Sequence, residues 1–540
     1  MDFKIALDDL FPLEANLPSE IILEPVHQTE YLVSGEMRMW QGPVKEVYSP
    51  IFLRSEAGLS RKLVGSYPDC DAEAAMEALD AAVAAYDNGQ GAWPAMCVAE
   101  RINCLESFLE KMIVQRELII KLIVWEIGKT LKDSAKEFDR TVDYIKATIQ
   151  ELKNLDHRAA RFDIQDGVIS QTRRTPLGVV LCMGPFNYPL NETFTTLIPA
   201  VMMGNTLLFK SPKHGTLLHY PLLRAFQEAF PKGVINSVYG EGSKVIPPVM
   251  RSGKIDVFGF IGSSKVGNLL KKQHPIPGRL TAVMSLDAKC LAIVGESADL
   301  DIAAQECLAG ALTFNGQRCT AIKIIYVHNA VAHAFLNKLS DLLAEMGYGM
   351  PWEKNVMITP VAEPSKPQYL RDCIADAEIK GAKVINPEGG KCLESFFYPA
   401  IVFPVNEQMK LFREEQFGPV IPVVPFQDVK EAINYQHESS HGLQVSIFSN
   451  DPKETGSLID RFVNLVSRVN INSLSQRGPD TLPFTGRKDS AEGTLSISEG
   501  LYAFSLQSLV TTKNTASNKE LIKAIVDEHQ SDFLSMNYIM

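Results

Sequence analysis

The segment 177–210, LGVVLCMGPFNYPLNETFTTLIPAVMMGNTLLFK, carries the clearest fold signal in this sequence. Its first seven residues, 177–183, form an apolar run that predicts a buried strand, and Thr206 to Lys210 predicts another. Between them we expect a helix that begins at Asn191 and ends at Gly204, because glycine readily adopts the left-handed cap conformation. A strand, a helix and a second strand in this order predict two parallel strands joined by a crossover helix.

The same alternation continues along the chain. Strands are predicted at 233–238 and 255–260, and a second set of alternating helices and strands runs from Lys289 to about Asp480. This pattern predicts the α/β class with mostly parallel sheets. Ligands of such sheets bind beyond the C-terminal ends of the strands. The residues predicted at these ends are Lys210, Ser211, Gly262 and Ser263.

The segment Phe260–Gly267 joins a strand, a glycine turn and a helix start. The first turn of a helix exposes N–H groups and partial positive charge, which suit a phosphate. The Gly-x-Gly-x-x-Gly pattern of ordinary dinucleotide folds is missing after the first strand. The segment therefore predicts a phosphate-binding turn that lacks the ordinary dinucleotide fingerprint.

Three flanking segments carry other patterns. Residues 1 to about 45 show no strong period and predict an extended arm. Residues 162–175 alternate polar and apolar side chains around Asp166-Gly167, which predicts a hairpin. A lone hairpin cannot bury its own face, so it needs another part of the molecule or a second subunit. Residues 494–511 are strand-like, and 514–540 contain one amphipathic stretch and a polar end.

Length, charge and hydropathy limit the classes of function. A chain of 540 residues is expected to form two or three domains. The net charge of −11 argues against nucleic-acid binding, which requires clustered cations. No apolar run reaches the roughly 18 residues of a membrane helix. The N-terminus lacks a secretion signal, so we expect a cytoplasmic protein.

The nine cysteines indicate free thiols. Their number is odd and no Cys-x-x-Cys occurs, which argues against a disulfide framework and a structural zinc site; no metal site is predicted. Cys319 lies between a predicted helix, 301–313, and a predicted strand, 322–327. Arg318 precedes it, and a neighbouring cation favours the nucleophilic thiolate. From its position alone, Cys319 is either a reactive thiol or a small buried apolar residue.

Six motifs follow one another along the chain, namely Pro185–Pro189, Phe209–Pro212, Ile261–Gly267, Gly316–Cys319, Glu415–Pro419 and Pro483–Ser490. In this order they resemble the aldehyde dehydrogenase superfamily, and the resemblance covers about residues 40–512. Within the superfamily, the segments around Asn187, Cys319 and Arg477 look like the non-phosphorylating, NADP-dependent glyceraldehyde-3-phosphate dehydrogenases.

This resemblance implies a three-part subunit. Residues 1–157, with the N-terminal arm, and 177–288 would form a cofactor-binding domain of Rossmann type. Residues 289–490 would form an α/β catalytic domain. Residues 158–176 and 491–512 would form a β oligomerisation arm of a homodimer or homotetramer, and 513–540 a C-terminal extension.

The resemblance also implies the catalytic and cofactor-binding residues. Cys319 would attack an aldehyde and form a thioester, and the Asn187 amide would stabilise the oxyanion. NADP is the expected cofactor, with NAD as the alternative, because Lys213 stands where NAD-preferring relatives often carry glutamate; Glu241 argues mildly against NADP. The implied cofactor-binding residues are Lys210, Lys213, Gly262, Ser263, Gly267, Glu415 and Phe417.

For the substrate, the resemblance implies a small phosphorylated aldehyde, glyceraldehyde 3-phosphate. Guanidinium groups and a phenol bind a phosphate through charge-assisted hydrogen bonds. Without the resemblance, Arg140 would be interpreted as a solvated charge on a helix. The implied substrate-binding residues are Arg140, Tyr188, Arg318 and Arg477.

One position departs from the family pattern. Ser285 replaces the glutamate that acts as general base for thioester hydrolysis, a contribution of about 10²–10⁴-fold. Three hypotheses follow: hydrolysis with a substitute base, Asp287 or Glu415; acyl transfer to a thiol such as coenzyme A; or a slow or non-catalytic relative that binds nucleotide. The first is preferred because the phosphate-binding set is complete.

Overall fold

The computed structural model describes residues 9–536 and contains two large, mainly parallel sheets. The first has six strands, of which only the last is antiparallel to its neighbour. In spatial order they are Ile235–Val238, Thr206–Lys210, Val179–Met183, Val257–Ile261, Thr281–Ser285 and Ala491–Glu492. The α/β class predicted from the sequence is therefore confirmed.

The second sheet has seven strands, of which only the first is antiparallel to its neighbour. In spatial order they are Lys383–Val384, Ala400–Phe403, Val420–Phe426, Ile322–His328, Cys290–Val294, Gln444–Phe448 and Arg468–Ile471. The C-terminal ends of first-sheet strands at Met183, Ile261 and Ser285 border one cavity together with the residues that precede second-sheet strands at Ile322 and Val420. This junction positions the candidate site.

The predicted unit at 177–210 is confirmed with small shifts of its ends. The strand Val179–Met183, the helix Asn191–Met202 and the strand Thr206–Lys210 are each almost wholly buried. Gly204 ends the helix with φ +93°, as a left-handed cap requires. The Asn205 side chain then accepts from the Leu177 N–H at 2.8 Å and donates to the Ala200 carbonyl at 2.8 Å. The turn is therefore fixed by both glycine and asparagine.

Helices cover the sheets and join their strands. The predicted helix at 301–313 corresponds to Leu300–Leu312, and Ala72–Tyr86 forms another helix. The remaining helices are Ala92–Ala95, Val98–Val114, Arg116–Ile127, Leu131–Ala159, Tyr220–Ala229, Gly242–Arg251, Ser264–Gln273, Ala332–Ala344, Lys366–Ile379, Lys410–Arg413, Lys430–Glu438, Pro452–Phe462, Ile497–Ala503 and Ala516–Asp527.

The predicted hairpin at 162–175 is present and has a partner within the chain. Asp163–Gln165 pairs with Val168–Pro176, and Val168–Pro176 pairs with Ser505–Lys513. The strand expected over 494–511 is partly wrong, because Ile497–Ala503 is a helix begun by a Ser496 side-chain cap. The leucine and isoleucine side chains of this helix are buried. A short helix can therefore bury the same apolar residues that a strand would bury.

The N-terminal segment is more ordered than the expected extended arm. Glu30–Val33 and Glu36–Met39 form a hairpin, and its Ser34-Gly35 turn has φ of +55° and +74°. Positive φ at both turn residues is the geometry of tight two-residue hairpins. The other strands are Val26–His27, Val44–Ser55, Gly58–Pro68, Gly347–Tyr348, Val356–Ile358, Cys392–Leu393, Phe396–Phe397, His441–Gly442 and Arg487–Lys488.

Three further properties concern residues 9–536 as a whole. All nine cysteines are free thiols. In that part of the chain, no helix combines the length and the apolar character needed to cross a membrane. The same residues contain no group of three or more His, Cys, Asp or Glu side chains arranged to hold a metal ion.

Candidate active site

Cys319 is half-buried and follows a strained turn between a helix and a strand. The turn Thr313–Gly316 has positive φ at Phe314 and Asn315. The Asn315 side chain fixes it by donating to Thr359 Oγ1 at 3.1 Å and accepting from the Thr359 N–H at 3.0 Å. Gly316 is required here, since a Cβ would approach the Ala311 carbonyl to 2.7 Å. The loop therefore presents Cys319 in one fixed position.

Asn187 lies against the Cys319 loop. Its side-chain amide donates to the Gln317 carbonyl at 2.9 Å, and the residue is buried. An amide nitrogen carries two N–H groups, so one donor is used in holding the loop and a second is available. The arrangement is compatible with the expected oxyanion role, in which donors must be oriented before the reaction.

Two residues that the sequence reasoning missed hold Asn187 in place. The fully buried Lys129 ammonium donates to the Glu137 carboxylate and to the Asn187 carbonyl, the latter at 2.7 Å. Glu137 also accepts the N–H groups of Leu190 and Asn191, at 3.0 and 3.2 Å. The one signal in the sequence is the Gly128-Lys129 pair, which interrupts a helical pattern that runs from about residue 95 to 152.

Lys323 is a third missed residue and connects Cys319 to Glu415. Its buried ammonium lies 2.9 Å from the Glu415 carboxylate and donates to the carbonyls of Arg318 and Cys319, at 2.6 and 2.8 Å. Glu415 also accepts from the Ala288 N–H at 3.3 Å. Burial raises the pKa of Glu415, and the Lys323 charge opposes that rise. A buried ammonium beside a thiol and a carboxylate makes their ionisation interdependent.

The expected activation of Cys319 by Arg318 is not what the structure gives. Burial raises the pKa of Cys319 to about 11, and the nearby Lys323 and Arg318 charges only partly offset it. Arg318 donates instead to the Gly310 carbonyl at 3.0 Å. Desolvation disfavours the thiolate anion, so its formation in the free protein costs free energy. The bound reactants must therefore either stabilise the thiolate or react with the small fraction that is present.

The raised pKa gives a testable pH dependence of thiol reactivity. Below a pKa of about 11, the thiolate fraction of Cys319 should increase about tenfold per pH unit. We expect alkylation of the Cys319 peptide by iodoacetamide, followed by mass spectrometry, to rise without a plateau between about pH 7 and 10. In urea the same peptide should approach a plateau above the ordinary thiol pKa of about 8.5. A plateau near pH 7 in the folded protein would contradict the account.

Ser285 and Asp287 border the same cavity from the end of the Thr281–Ser285 strand. The Asp287 carboxylate accepts from the Ser264 N–H at 2.9 Å and from Ser264 Oγ at 2.7 Å. It thereby occupies the first turn of the Ser264–Gln273 helix, where the sequence predicted a phosphate. Asp287 is consequently engaged as a helix cap, which makes it a poor substitute for the missing general base.

The four predicted substrate-binding residues are brought together, although two arginines already have acidic partners. Arg140 makes a forked pair with Asp480, at 2.8 and 2.6 Å, and Arg477 pairs with Glu192. Within residues 9–536, Arg318 Nε and Arg477 Nη2 are buried without a hydrogen-bond partner. Burial lowers the pKa of Arg477 to about 10, so an added anion would stabilise its charged form.

The catalytic and substrate-binding candidates share one cavity of about 540 Å³. We call it the Cys319 cavity. Lys210, Lys213 and Gly267 do not line it. Gly267 has a packing role, since a Cβ there would lie 3.1 Å from Leu286. The predicted site residues that line the cavity are Cys319, Asn187, Arg140, Tyr188, Arg318, Arg477, Gly262, Ser263, Glu415, Phe417 and Ser285.

A cluster of lysines lies at the end of the Thr206–Lys210 strand. Burial, together with the smaller effect of the Lys45 and Lys213 charges, lowers the pKa of Lys210 to about 8. Three neighbouring cations favour an anionic ligand, so this cluster fits the additional phosphate of NADP. Glu241, which argued mildly against NADP, pairs with Lys244 at 3.2 Å. The residues present therefore fit the adenosine end of that cofactor.

Comparisons with known proteins identify the family to which this chain belongs. The model of the aldehyde dehydrogenase family matches residues 54–510. An NADP-dependent glyceraldehyde-3-phosphate dehydrogenase of Streptococcus equinus is 31% identical over 496 residues, which cover 90% of this chain and 98% of the relative. A 3-sulfolactaldehyde dehydrogenase of Priestia aryabhattai is 27% identical, over 73% of this chain and 82% of the relative.

A solved structure gives the same result for the fold. The NADP-dependent glyceraldehyde-3-phosphate dehydrogenase of Bacillus halodurans C-125, complexed with NADP, superimposes with a TM-score of 0.82 at 28% identity. The superposition covers 91% of this chain and all of the other. The family match, the relatives and the shared fold together establish that this chain belongs to the aldehyde dehydrogenase family.

Proposed function

We propose that this protein oxidises a small aldehyde bearing an anionic phosphate group, with glyceraldehyde 3-phosphate as the substrate and NADP as the hydride acceptor. The observation that carries the proposal is the set of unpartnered guanidinium nitrogens of Arg318 and Arg477 in the Cys319 cavity. Buried donors without partners are costly, and a phosphate oxygen would satisfy them. The names of the Streptococcus and Bacillus relatives support the same substrate and cofactor.

In the proposed reaction the Cys319 sulfur bonds to the aldehyde carbon while the thiol proton is lost. The aldehyde oxygen becomes an oxyanion that accepts from the Asn187 amide. NADP supplies a hydride acceptor when bound, and loss of hydride from the adduct leaves a thioester on Cys319. Water then releases the acid and returns a proton to sulfur. Overall, aldehyde, NADP⁺ and water give acid, NADPH and one proton.

Hydrolysis of the thioester requires a base that activates water. Ser285 cannot act as the base near neutral pH, and Asp287 caps a helix. Glu415 lines the Cys319 cavity, and burial raises its pKa toward the range suited to general-base catalysis. We therefore propose Glu415 as the substitute base. Acyl transfer to coenzyme A is the second route, and it is favoured by the serine at position 285.

A sulfonated aldehyde is a second candidate substrate, which one observation favours. Asp480 and Glu192 neutralise much of the charge of Arg140 and Arg477. The cluster of three guanidinium groups therefore retains little net positive charge, which suits a singly charged sulfonate as well as a phosphate. The name of the Priestia relative points to the same chemistry. Comparing kcat/KM for the two anionic aldehydes distinguishes them.

Replacing Arg477 by alanine tests the anion-binding part of the proposal. We expect kcat/KM for glyceraldehyde 3-phosphate to fall by about 10–100-fold, since a charge-assisted hydrogen bond contributes about 1.5–3 kcal/mol. For glyceraldehyde, which lacks the phosphate, the decrease should be small. Steady-state NADPH formation with both substrates is the measurement. An equal decrease for both would remove the phosphate from the proposal while leaving aldehyde oxidation intact.

A further inference from the structure

A second cavity, of about 730 Å³, lies beside the paired strands that begin at Val168 and Ser505. It is bordered by the start of the Val98–Val114 helix, the end of the Leu131–Ala159 helix and residues 529–535. We call it the arm cavity. It shares no lining residue with the Cys319 cavity, and residues 529–535 lie outside the family match at 54–510. It is therefore separate from the catalytic site.

Arg101 is the unusual residue of the arm cavity. Only 6% of it is exposed, and within residues 9–536 its Nε and Nη1 have no hydrogen-bond partner. Burial lowers the pKa of Arg101 to about 10. The electrostatic effects of nearby Cys97 and Asp156 oppose this decrease only in part. Gly204 makes room for this guanidinium, since a Cβ there would lie 2.5 Å from Arg101 Nη1. A buried, unpaired cation is unfavourable unless a counter-ion accompanies it.

Further donors line the arm cavity. The N-cap of the Val98–Val114 helix is Cys97, whose side chain makes no capping hydrogen bond. The first N–H groups of a long helix together carry partial positive charge. Among the described residues, Arg174 donates to neutral oxygens, namely Ser505 Oγ at 2.7 Å and the carbonyls of Tyr502 and Ser505 at 3.0 and 2.7 Å. Two guanidinium groups and a helix N-terminus therefore share this cavity.

Two of the three aspartates that line the arm cavity lie within ion-pair distance of arginines other than Arg101. Asp156 accepts from Arg173 at 2.8 Å. Asp163 lies 3.7 Å from Arg161. Asp532 also lines the cavity, so aspartates are present but are outnumbered by arginines. The cationic residues that line it are Arg101, Arg158, Arg161, Arg173 and Arg174.

The C-terminal extension closes one side of this cavity. Gln171 and Arg173 donate to the Ser535 carbonyl, at 2.7 and 2.9 Å, and the Ser535 N–H donates to Gln171 at 3.2 Å. These bonds join the end of the extension to the strand Val168–Pro176. The extension thus has a structural role as a wall of the arm cavity.

We propose that the arm cavity binds the phosphate group of a small metabolite between Arg101 and the N-terminus of the Val98–Val114 helix. The phosphate supplies the charge that Arg101 lacks and accepts from Arg174 and from the helix amides. The cavity volume greatly exceeds that of a single phosphate ion, so a phosphorylated metabolite should bind more tightly than inorganic phosphate.

Equilibrium dialysis of the full chain with radiolabelled inorganic phosphate tests this proposal. Phosphate binding should have two components, one from the Cys319 cavity and one from the arm cavity. We expect Arg101→Met and Ala99→Asp each to weaken the arm-cavity component at least tenfold. Ala99→Asp places a carboxylate in the first turn of the helix, which favours the helix while repelling phosphate. The exposed Arg224→Met is the matched control for loss of charge and should bind as the unaltered chain does.

A second variant distinguishes phosphate binding in the Cys319 cavity from phosphate binding in the arm cavity. Arg477→Ala should weaken only the phosphate component that Arg101→Met leaves intact. Displacement of phosphate by glycerol 3-phosphate at lower concentration than by unlabelled phosphate would support a metabolite as the occupant. Phosphate-binding curves of Arg101→Met and Ala99→Asp that superimpose on that of the unaltered chain would overturn the proposal. If Arg101→Met does not fold, Ala99→Asp alone decides.

Discussion

Replacement of Cys319 by serine is expected to abolish the rapid formation of NADPH when the protein is mixed with NADP and glyceraldehyde 3-phosphate. A serine hydroxyl is a far weaker nucleophile than a thiolate, and loss of a catalytic nucleophile typically costs at least about 10⁴-fold. Stopped-flow fluorescence of NADPH measures the burst directly. Its amplitude in the unaltered protein should approach one per active site.

Cys290 provides the matched control for this prediction. It is a buried thiol whose Sγ lies 3.5 Å from the Cys319 carbonyl, and burial raises its pKa to about 11 as well. Cys290→Ser should retain the burst. A burst that survives in Cys319→Ser, or one that is lost only in Cys290→Ser, would show that the nucleophile is assigned to the wrong thiol.

Replacement of Ser285 by glutamate is expected to accelerate steady-state acid formation by about 10²-fold or more. The proposed substitute base Glu415 is held by Lys323, and the glutamate would add a second general base to the Cys319 cavity, a contribution of about 10²–10⁴-fold when positioned well. The rate of the NADPH burst should change little, because that phase precedes hydrolysis. Steady-state turnover and burst rate, measured on the same preparation, separate the two effects.

Ser285→Gln is the control, because glutamine has nearly the same size as glutamate and cannot accept the proton. It should leave steady-state turnover at or below the level of the unaltered protein. If Ser285→Glu is no faster than Ser285→Gln, hydrolysis is not limited by the missing base. Coenzyme A should then be tested as the acyl acceptor, and acceleration by this thiol would favour acyl transfer.

The parallel strands and their crossover helices were predictable because local patterns specify them. Apolar runs of about five residues between helical segments correspond to the strands Val179–Met183, Thr206–Lys210 and Val257–Ile261, with ends shifted by at most two residues. The strand expected over 494–511 failed in its first half for a related reason. A short buried helix and a buried strand share the same apolar composition, and a side-chain cap at Ser496 decides between them.

The motifs also indicated which residues meet at the Cys319 cavity, but they did not indicate the charges held between them. The Lys129–Glu137 and Lys323–Glu415 pairs join residues from separate elements, and neither is visible as a spacing in the sequence. The raised pKa of the Cys319 thiol follows from burial, which outweighs the adjacent arginine. Contacts of this kind depend on tertiary packing and so escape local reasoning.

Asp287 illustrates the same limit. Its closeness to Ser285 in the sequence suggested a substitute base, whereas its carboxylate caps the Ser264–Gln273 helix. That capping also uses the N–H group of Ser264, on which the predicted phosphate turn relied. The sequence therefore indicated correctly that Asp287 lies near Ser285, but it did not indicate that the Asp287 carboxylate binds the Ser264–Gln273 helix.

The most direct test of the account is to mix the protein with NADP and glyceraldehyde 3-phosphate, quench within one turnover and measure the mass of the Cys319 peptide. The account predicts a phosphoglyceroyl thioester on Cys319 that accumulates with one equivalent of NADPH and decays faster in Ser285→Glu. An unmodified Cys319 peptide, with no NADPH formed, would contradict the claim that this chain oxidises a phosphorylated aldehyde through that thiol.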